Sequence, residues 1–152
     1  MPLYLPAMWG AQFGGGDSGG VASLAANTTY YLGSLFGVDF STSDDPPTVV
    51  IPFNMTLNRV SGEVLVAGTK GSGENNTLIV RKFSGGSASD AVTVSSTFLV
   101  NDAGGRNRYD FSGLSTPFSA GDRVWLKLTM NAALSTAPTL VFWGSNLTFT
   151  RS

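Results

Sequence analysis

Apolar and polar residues alternate along much of the chain with the period of two that is typical of β-strands. A clear case is residues 123–130, where one face carries four apolar residues: Val124, Leu126, Leu128 and Met130. The other face carries Trp125 among charged and polar residues. Residues 120–122, Ala-Gly-Asp, are typical of a tight turn, because glycine takes positive φ and aspartate bonds to nearby backbone. The pattern predicts a strand with one side in a core and the other facing water or a neighbouring subunit.

Similar short runs recur along the chain, separated by segments rich in Gly, Asn, Asp and Ser. The predicted strands are 28–32, 48–53, 55–67 with a break at Gly62, 77–83, 92–100, 107–111, 123–130, 139–143 and 147–150. No amphipathic helix separates them, which argues against a parallel α/β sheet. The sequence therefore predicts an all-β fold, an antiparallel β-sandwich of jelly-roll type with about eight strands.

The chain opens with six large apolar residues that follow no regular period: Leu3, Tyr4, Leu5, Met8, Trp9 and Phe13. Pro2 and Pro6 exclude a helix of useful length, and residues 14–20 have the glycine-rich composition of a flexible linker. We therefore predict an extended arm and linker over residues 1–20 and a sandwich domain over residues 21–152. Fully stretched, the arm reaches about 65–70 Å, enough to bind a neighbouring subunit. The alternatives are a disordered terminus or a segment packed against its own domain.

Length and charge restrict the function further. The chain has 152 residues, the usual size of one domain, and only 12% of them are charged, with a net charge of −1. Copies of such a chain repel one another little, so we expect oligomer or assembly contacts. The nine basic residues form no stripe, which argues against a nucleic-acid partner. No apolar run approaches the roughly 20 residues that span a bilayer, and the N-terminus lacks a signal-peptide pattern. Synthesis in a cytosol is expected.

The residues available for chemistry are few, because the chain contains neither histidine nor cysteine. This excludes Ser-His-Asp and Cys-His catalysis and metal sites built on those ligands. The carboxylate pairs Asp44/Asp45 and Asp102/Asp110 are interpreted as turn-forming residues rather than as a catalytic pair. Four side chains near one predicted hairpin offer oxygen ligands for calcium without the spacing of a recognised calcium loop: Asn101, Asp102, Asn107 and Asp110. Ion pairs of the acids with Arg106 or Arg108 are the simpler interpretation. We expect no enzyme activity, no cofactor and no metal.

Several aromatic residues are predicted to point away from a single core. They are Tyr31, Trp125, Trp143 and Phe149. Rings at a protein surface serve either a subunit interface or a sugar-binding platform. For a chain with so little charge we predict an interface between subunits, with glycan binding as the alternative.

The turn that leads into the predicted strand 123–130 carries a family resemblance. Residues 118–126, Phe-x-Ala-Gly-Asp-Arg-Val-x-Leu, resemble the turn that leads into a late strand of trimeric jelly-roll domains of the tumour-necrosis-factor and C1q type. Phage structural proteins use such domains as capsid decoration proteins and as fibre or tail tips. The resemblance implies a small β-sandwich that packs as a homotrimer, and it implies nothing about chemistry.

Two functions follow as expectations. The first is a non-enzymatic viral structural protein, a capsid decoration or cement protein of a bacteriophage. It would trimerise on the shell and stabilise it by extending its arm onto the major capsid protein. Such a protein is made in the host cytoplasm and ends on the capsid surface of the virion. The second is a receptor- or glycan-binding domain at a fibre or tail tip.

Overall fold

The fold is seen in a computed structural model that describes residues 7–13, 22–23, 25, 27–32, 40–44, 48–67, 76–98, 105–130 and 139–151. These residues form eleven β-strands: β1 Ala7–Phe13, β2 Ala22–Ser23, β3 Thr29–Leu32, β4 Phe40–Ser41, β5 Val49–Val50, β6 Met55–Ala67, β7 Asn76–Ser84, β8 Ser87–Phe98, β9 Gly105–Phe118, β10 Arg123–Met130 and β11 Thr139–Arg151. The described residues include no helix, and therefore none long and apolar enough to cross a membrane.

The strands form two antiparallel sheets. Sheet A has the order β1-β11-β6-β9, with β2 also pairing with β11. Sheet B has the order β4-β3-β10-β7-β8, with β5 also pairing with β10. The predicted all-β antiparallel sandwich is confirmed.

The longer strands pair in a nested order. Strand β1 pairs with β11, β3 with β10, β6 with β9, and β7 with β8. The chain thus resembles one long antiparallel hairpin that is rolled up so that successive pairs fall in alternate sheets. This is the strand order of a jelly roll. It brings the two ends of the described chain together in sheet A.

Several strands differ in length from the predicted ones. Gly62 does not interrupt β6, which runs through it and pairs Gly62 with Tyr109 of β9. Strand β9 is longer than predicted because its second half pairs with the start of β6 beyond a register shift between Leu57 and Arg59. Strand β5 is shorter. Ile51 lies beyond the end of β5, and its N–H donates to the carbonyl of Asp122 at 2.7 Å.

The core lies between the two sheets and is lined by alternate residues of their strands. The four apolar residues of β10 predicted to face inward are all at most 1% exposed: Val124, Leu126, Leu128 and Met130. Phe118 and Phe149 meet edge to face, with ring centroids 5.5 Å apart. The hydroxyls of Tyr109 and Ser145 hydrogen-bond to each other in the interior, which satisfies two buried polar groups.

Two turns take the form that their residues favour. Strands β7 and β8 are joined at Gly85 and Gly86, which both have positive φ, as a two-residue hairpin turn requires. The turn before β10 has Gly121 at φ 89° and Asp122 buried behind it. The Asp122 carboxylate accepts the Ser119 N–H at 2.9 Å, so the predicted aspartate turn is confirmed.

Leu126 offers a test of the packing. Leu126→Ala removes a side chain that is 1% exposed and leaves a cavity between the sheets, so the free energy of unfolding should fall by about 2–5 kcal/mol. The measurement is urea denaturation. The matched control is Val50→Ala, because Val50 is 55% exposed and should lose no more than about 0.5 kcal/mol. Equal losses in the two variants would contradict the assignment of β10's inner face.

Candidate functional site

The outer face of sheet B brings together two of the predicted interface residues, Trp125 and Tyr31. Trp125 pairs with Arg81 of β7, and Tyr31 of β3 pairs with Lys127 of β10. Arg81 also pairs with Asp90 of β8. Residues that are directly opposite each other on neighbouring strands share a face of the sheet. All five side chains therefore lie on the side of sheet B that faces away from the core.

Four charged residues form a network here, which we call the charged cluster: Asp44, Arg81, Asp90 and Lys127. Arg81 donates from Nη1 to Asp90 at 2.7 Å and from Nε to Asp44 at 3.2 Å, and its Nη2 also contacts Asp44. Lys127 Nζ lies 2.7 Å and 2.9 Å from the two carboxylate oxygens of Asp90. Two cations and two anions cancel. The charged cluster therefore adds no net charge to this face.

Trp125 is covered by this network and is only 2% exposed. Its indole Nε1–H donates to Asp44 Oδ1 at 3.3 Å. Asp44 belongs to the segment after β4, which approaches the sheet from outside. The prediction that Trp125 is a surface ring is therefore wrong. Strand alternation placed its face correctly, but it could not show that a loop covers that face.

Tyr31 stays partly exposed at the margin of the charged cluster. The guanidinium carbon of Arg81 lies 5.9 Å from the centre of its ring, within cation–π range. Burial raises the pKa of the Tyr31 hydroxyl, and the nearby charge of Asp44 raises it further. Tyr31 is thus neutral at physiological pH and presents a ring edge and a hydroxyl group.

Hydrogen bonds within the charged cluster favour the charged forms of Arg81 and Asp90. Desolvation works to raise the pKa of Asp90, but hydrogen bonds from Lys127 and Arg81 outweigh it and lower the pKa below 3.8. Desolvation likewise works to lower the pKa of Arg81, and its hydrogen bonds to Asp44 and Asp90 reverse the effect. Groups that are locked in ion pairs transfer protons poorly near neutral pH. The arrangement is suited to holding the Asp44 segment against the sheet.

The remaining predicted interface residues lie in β11. Phe149 is 2% exposed and belongs to the core, so the expectation that it points outward is wrong. It alternates with Leu147 and Ser145 on the inner face of β11. Trp143 pairs with Val64 of β6 and with Phe13 of β1, and its side chain lies outside what the structure describes.

The N-terminal residues divide into two groups. Met8, Trp9 and Phe13 lie in β1, opposite Thr148, Leu147 and Trp143 of β11. Residues 7–13 therefore form an outermost strand of sheet A, although the sequence assigned them to an arm ahead of the domain. Leu3, Tyr4 and Leu5 precede this strand and lie outside the described residues. The domain boundary at residue 20 stays a prediction.

An exposed apolar pair, Val50 and Phe53, lies at the end of the sandwich where β10 begins. The two side chains are 55% and 52% exposed. Their loop is held in place because Ile51 accepts the Gly121 N–H at 2.8 Å and Asn54 Oδ1 accepts the Ala120 N–H at 3.0 Å. The sequence analysis missed this pair because it predicted a single strand over residues 48–53. Pro52 is the signal that the strand could not continue.

The carboxylates considered for chemistry are engaged in ion pairs or lie outside the described residues. Asp110 receives two contacts from Arg59 across β6 and β9, one of them from Nε at 2.7 Å. Both side chains are about half exposed. Asp45, Asn101 and Asp102 lie outside the described residues, as does the side chain of Asn107. In the part of the chain that is described, no three acidic side chains gather in a way that could hold a metal ion.

The chain was compared with protein-family models and with curated proteins, and neither comparison gave a match. Any function assigned to the chain therefore rests on its own residues.

Asp90 allows a test of the charged cluster by pH. Its folded pKa is depressed, so it adds stability that is present above its unfolded pKa and is lost as the pH falls through the folded value. Wild-type protein should lose free energy of unfolding below about pH 4. Asp90→Asn should be less stable at neutral pH and should lose less on acidification, as measured by urea denaturation from about pH 7 to pH 2.

The control for this test is Asp110→Asn. Asp110 also has a lowered pKa, because of its hydrogen bond from Arg59, but the pair is open to water. Water screens the attraction between such exposed charges. Asp110→Asn should therefore change the loss of free energy of unfolding at low pH less than Asp90→Asn does. If wild type and Asp90→Asn lost the same free energy of unfolding as the pH falls, the role assigned to the charged cluster would be contradicted.

Proposed function

We propose that the chain is a non-enzymatic viral structural protein, a bacteriophage capsid decoration protein that binds the shell as a homotrimer and attaches to it by its N-terminal residues. The observation that carries this proposal is the position of β1. Apolar residues of the predicted arm form the outermost strand of sheet A, paired with β11. By chain connectivity, Leu3, Tyr4 and Leu5 then join the fold at the edge of a sheet.

A sheet edge is a suitable place for attachment. The side of an edge strand that faces away from its neighbour carries N–H and C=O groups that can pair with another chain. Leu3, Tyr4 and Leu5 would add apolar contacts, each worth about 1.5–3 kcal/mol when fully buried, before the cost of ordering the backbone is subtracted. Repeated around a shell, one such clamp per subunit stabilises the lattice. The major capsid protein is the proposed partner, and the capsid surface is the proposed location.

The low charge of the chain supports self-association. Only 12% of its residues are charged, and several of the described charges neutralise each other within the chain, as in Arg59–Asp110 and the charged cluster. Copies therefore approach one another with little repulsion. The jelly-roll strand order also agrees with the fold implied by the resemblance of residues 118–126 to trimeric domains.

A second candidate function rests on Phe53. Burial of Trp125 and Phe149 removes two rings from the predicted sugar platform, whereas Phe53 is 52% exposed on a braced loop. Arg151 lies over its ring, 5.0 Å from the centre. An exposed ring beside an amide side chain, here Asn54, is a feature that glycan-binding sites use. This observation favours receptor or glycan binding at a fibre or tail tip as the alternative.

Truncation tests the decoration proposal. Deleting residues 1–6 removes Leu3, Tyr4 and Leu5 but keeps β1, so the domain should unfold at the same urea concentration as wild type. Binding to purified shells that lack this protein should weaken by at least about tenfold, which corresponds to 1.4 kcal/mol. Co-sedimentation with the shells measures this. Undiminished binding by a folded truncated chain would refute attachment through the N-terminal residues.

Phe53→Ala separates the two functions. As a decoration protein the variant should bind shells as wild type does, because the proposed attachment lies in the N-terminal residues. As a glycan-binding tip, wild-type protein should give a reproducible signal on a glycan array, and Phe53→Ala should abolish it. Such a signal, combined with no binding to shells, would replace the first proposal by the second.

A further inference from the structure

We propose that β1 is exchanged between copies of the chain, so that the strand paired with β11 in one subunit is supplied by a neighbouring subunit. This inference rests on the self-association in the proposed function and adds to it the identity of the segment that links the subunits. It concerns residues 7–13, whereas attachment to the shell is assigned to the residues that precede them.

Strands β1 and β2 both pair with β11. Strand β1 pairs with Trp143–Phe149, and β2 pairs with Thr139 and Leu140. Both strands run antiparallel to β11, and sheet A has β6 on the other side of β11. They therefore occupy the same edge of β11 one after the other. Only two residues of β11 separate the two pairing sites.

The connection between β1 and β2 is longer than a closed subunit needs. From Trp143 to Leu140 the edge of β11 advances about 10 Å at about 3.4 Å per residue. Eight residues, 14–21, connect Phe13 to Ala22. Nine peptide steps can span about 30 Å when extended. A closed subunit needs only about a third of that reach, so the connection is long enough for β1 to leave its own subunit.

The connection between β1 and β2 is rich in glycine. Five of the seven residues 14–20 are glycine, so the sequence favours no single path between β1 and β2. The connection therefore does not direct β1 to its own β11. Strand β2 anchors the chain on its own β11, and β1 can pair with any β11 edge within reach.

Pairing of β11 with its own β1 and pairing with a neighbour's β1 differ little in energy. An empty β11 edge would leave backbone N–H and C=O groups unpaired, so each copy needs a β1 strand from some source. Strands from its own chain and from an identical neighbour make the same seven residue pairs. Exchange therefore costs little strand energy. Where copies are already held side by side, as in the proposed homotrimer, the tether keeps a neighbour's β1 at high effective concentration near each β11 edge. Closure in a ring, with every copy giving and receiving one strand, leaves no β11 edge without a β1 strand.

Engineered disulfides can decide between exchange and closure, because the chain contains no cysteine. Gly10 pairs with Asn146, and Met8 pairs with Thr148. Directly opposed residues of antiparallel strands have Cα atoms about 4.5–5.5 Å apart, within the range of a disulfide. Asn146 is exposed, so a cysteine there is accessible to a mild oxidant. The test variants are Gly10→Cys/Asn146→Cys and, as a second pair, Met8→Cys/Thr148→Cys.

Each variant is oxidised as the assembled full chain and then run on a denaturing gel without reductant, while light scattering gives the native mass. Exchange predicts covalent multimers up to the native assembly size that collapse to single chains on reduction. The control pair is Thr29→Cys/Thr129→Cys, which joins β3 to β10 within one sheet and should give single chains only. Gly10→Cys alone controls for random linkage.

The other outcomes overturn the inference in distinguishable ways. Disulfide-bonded single chains from a protein that is natively trimeric would refute exchange and leave the proposed trimer intact. Disulfide-bonded single chains from a native monomer would refute both. Failure of both pairs to oxidise, while the control pair does, would mean that β1 does not pair with β11 in any copy.

Discussion

Strand β11 must find hydrogen-bonding partners along both of its edges. On one edge it pairs with β6 over nearly its whole length, and on the other it pairs with β1 and β2. Its inner side chains, Leu147 and Phe149, extend the core that β10 closes from the opposite sheet. Without β1, the edge of β11 from Trp143 to Phe149 would lack hydrogen-bonding partners, and open backbone edges are prone to uncontrolled association. The structure therefore ties the stability of the last strand to the first apolar residues of the chain.

The same constraint links the fold to the proposed function. An N-terminal segment that only bound a shell could be polar or absent before assembly. Here Met8, Trp9 and Phe13 belong to a strand that the domain uses, and the proposed attachment is assigned to the residues that precede them. The charged cluster acts on the other sheet in a comparable way, because Asp44 holds a crossing segment over Trp125 through Arg81. In each sheet, a strand that would otherwise be open to solvent is thus covered by a segment that lies far from it in sequence.

Local pattern was sufficient to predict β10, its turn and its inner face, because alternation with a period of two and a Gly-Asp turn depend only on neighbouring residues. It failed where distant segments decide burial. Trp125 alternates as a surface residue, yet Asp44 covers it from a segment 81 positions away. Gly62 looks like a strand break, but β6 continues because β9 and β11 pair with it on both sides. Phe53 belongs to an apolar run, yet it lies beyond the end of β5 and is 52% exposed.

The candidate site was less predictable than the fold for the same reason. A surface is what remains after every long-range contact is made, so the exposure of Val50 and Phe53 depends on the whole sandwich. The N-terminal segment shows a further limit. Its apolar composition indicated that it binds something, but composition does not specify the recipient, because an edge of β11 is equally complementary in its own chain and in a copy. The eight residues between β1 and β2 set how far β1 can reach, so the sequence shows the reach of the segment but not its recipient.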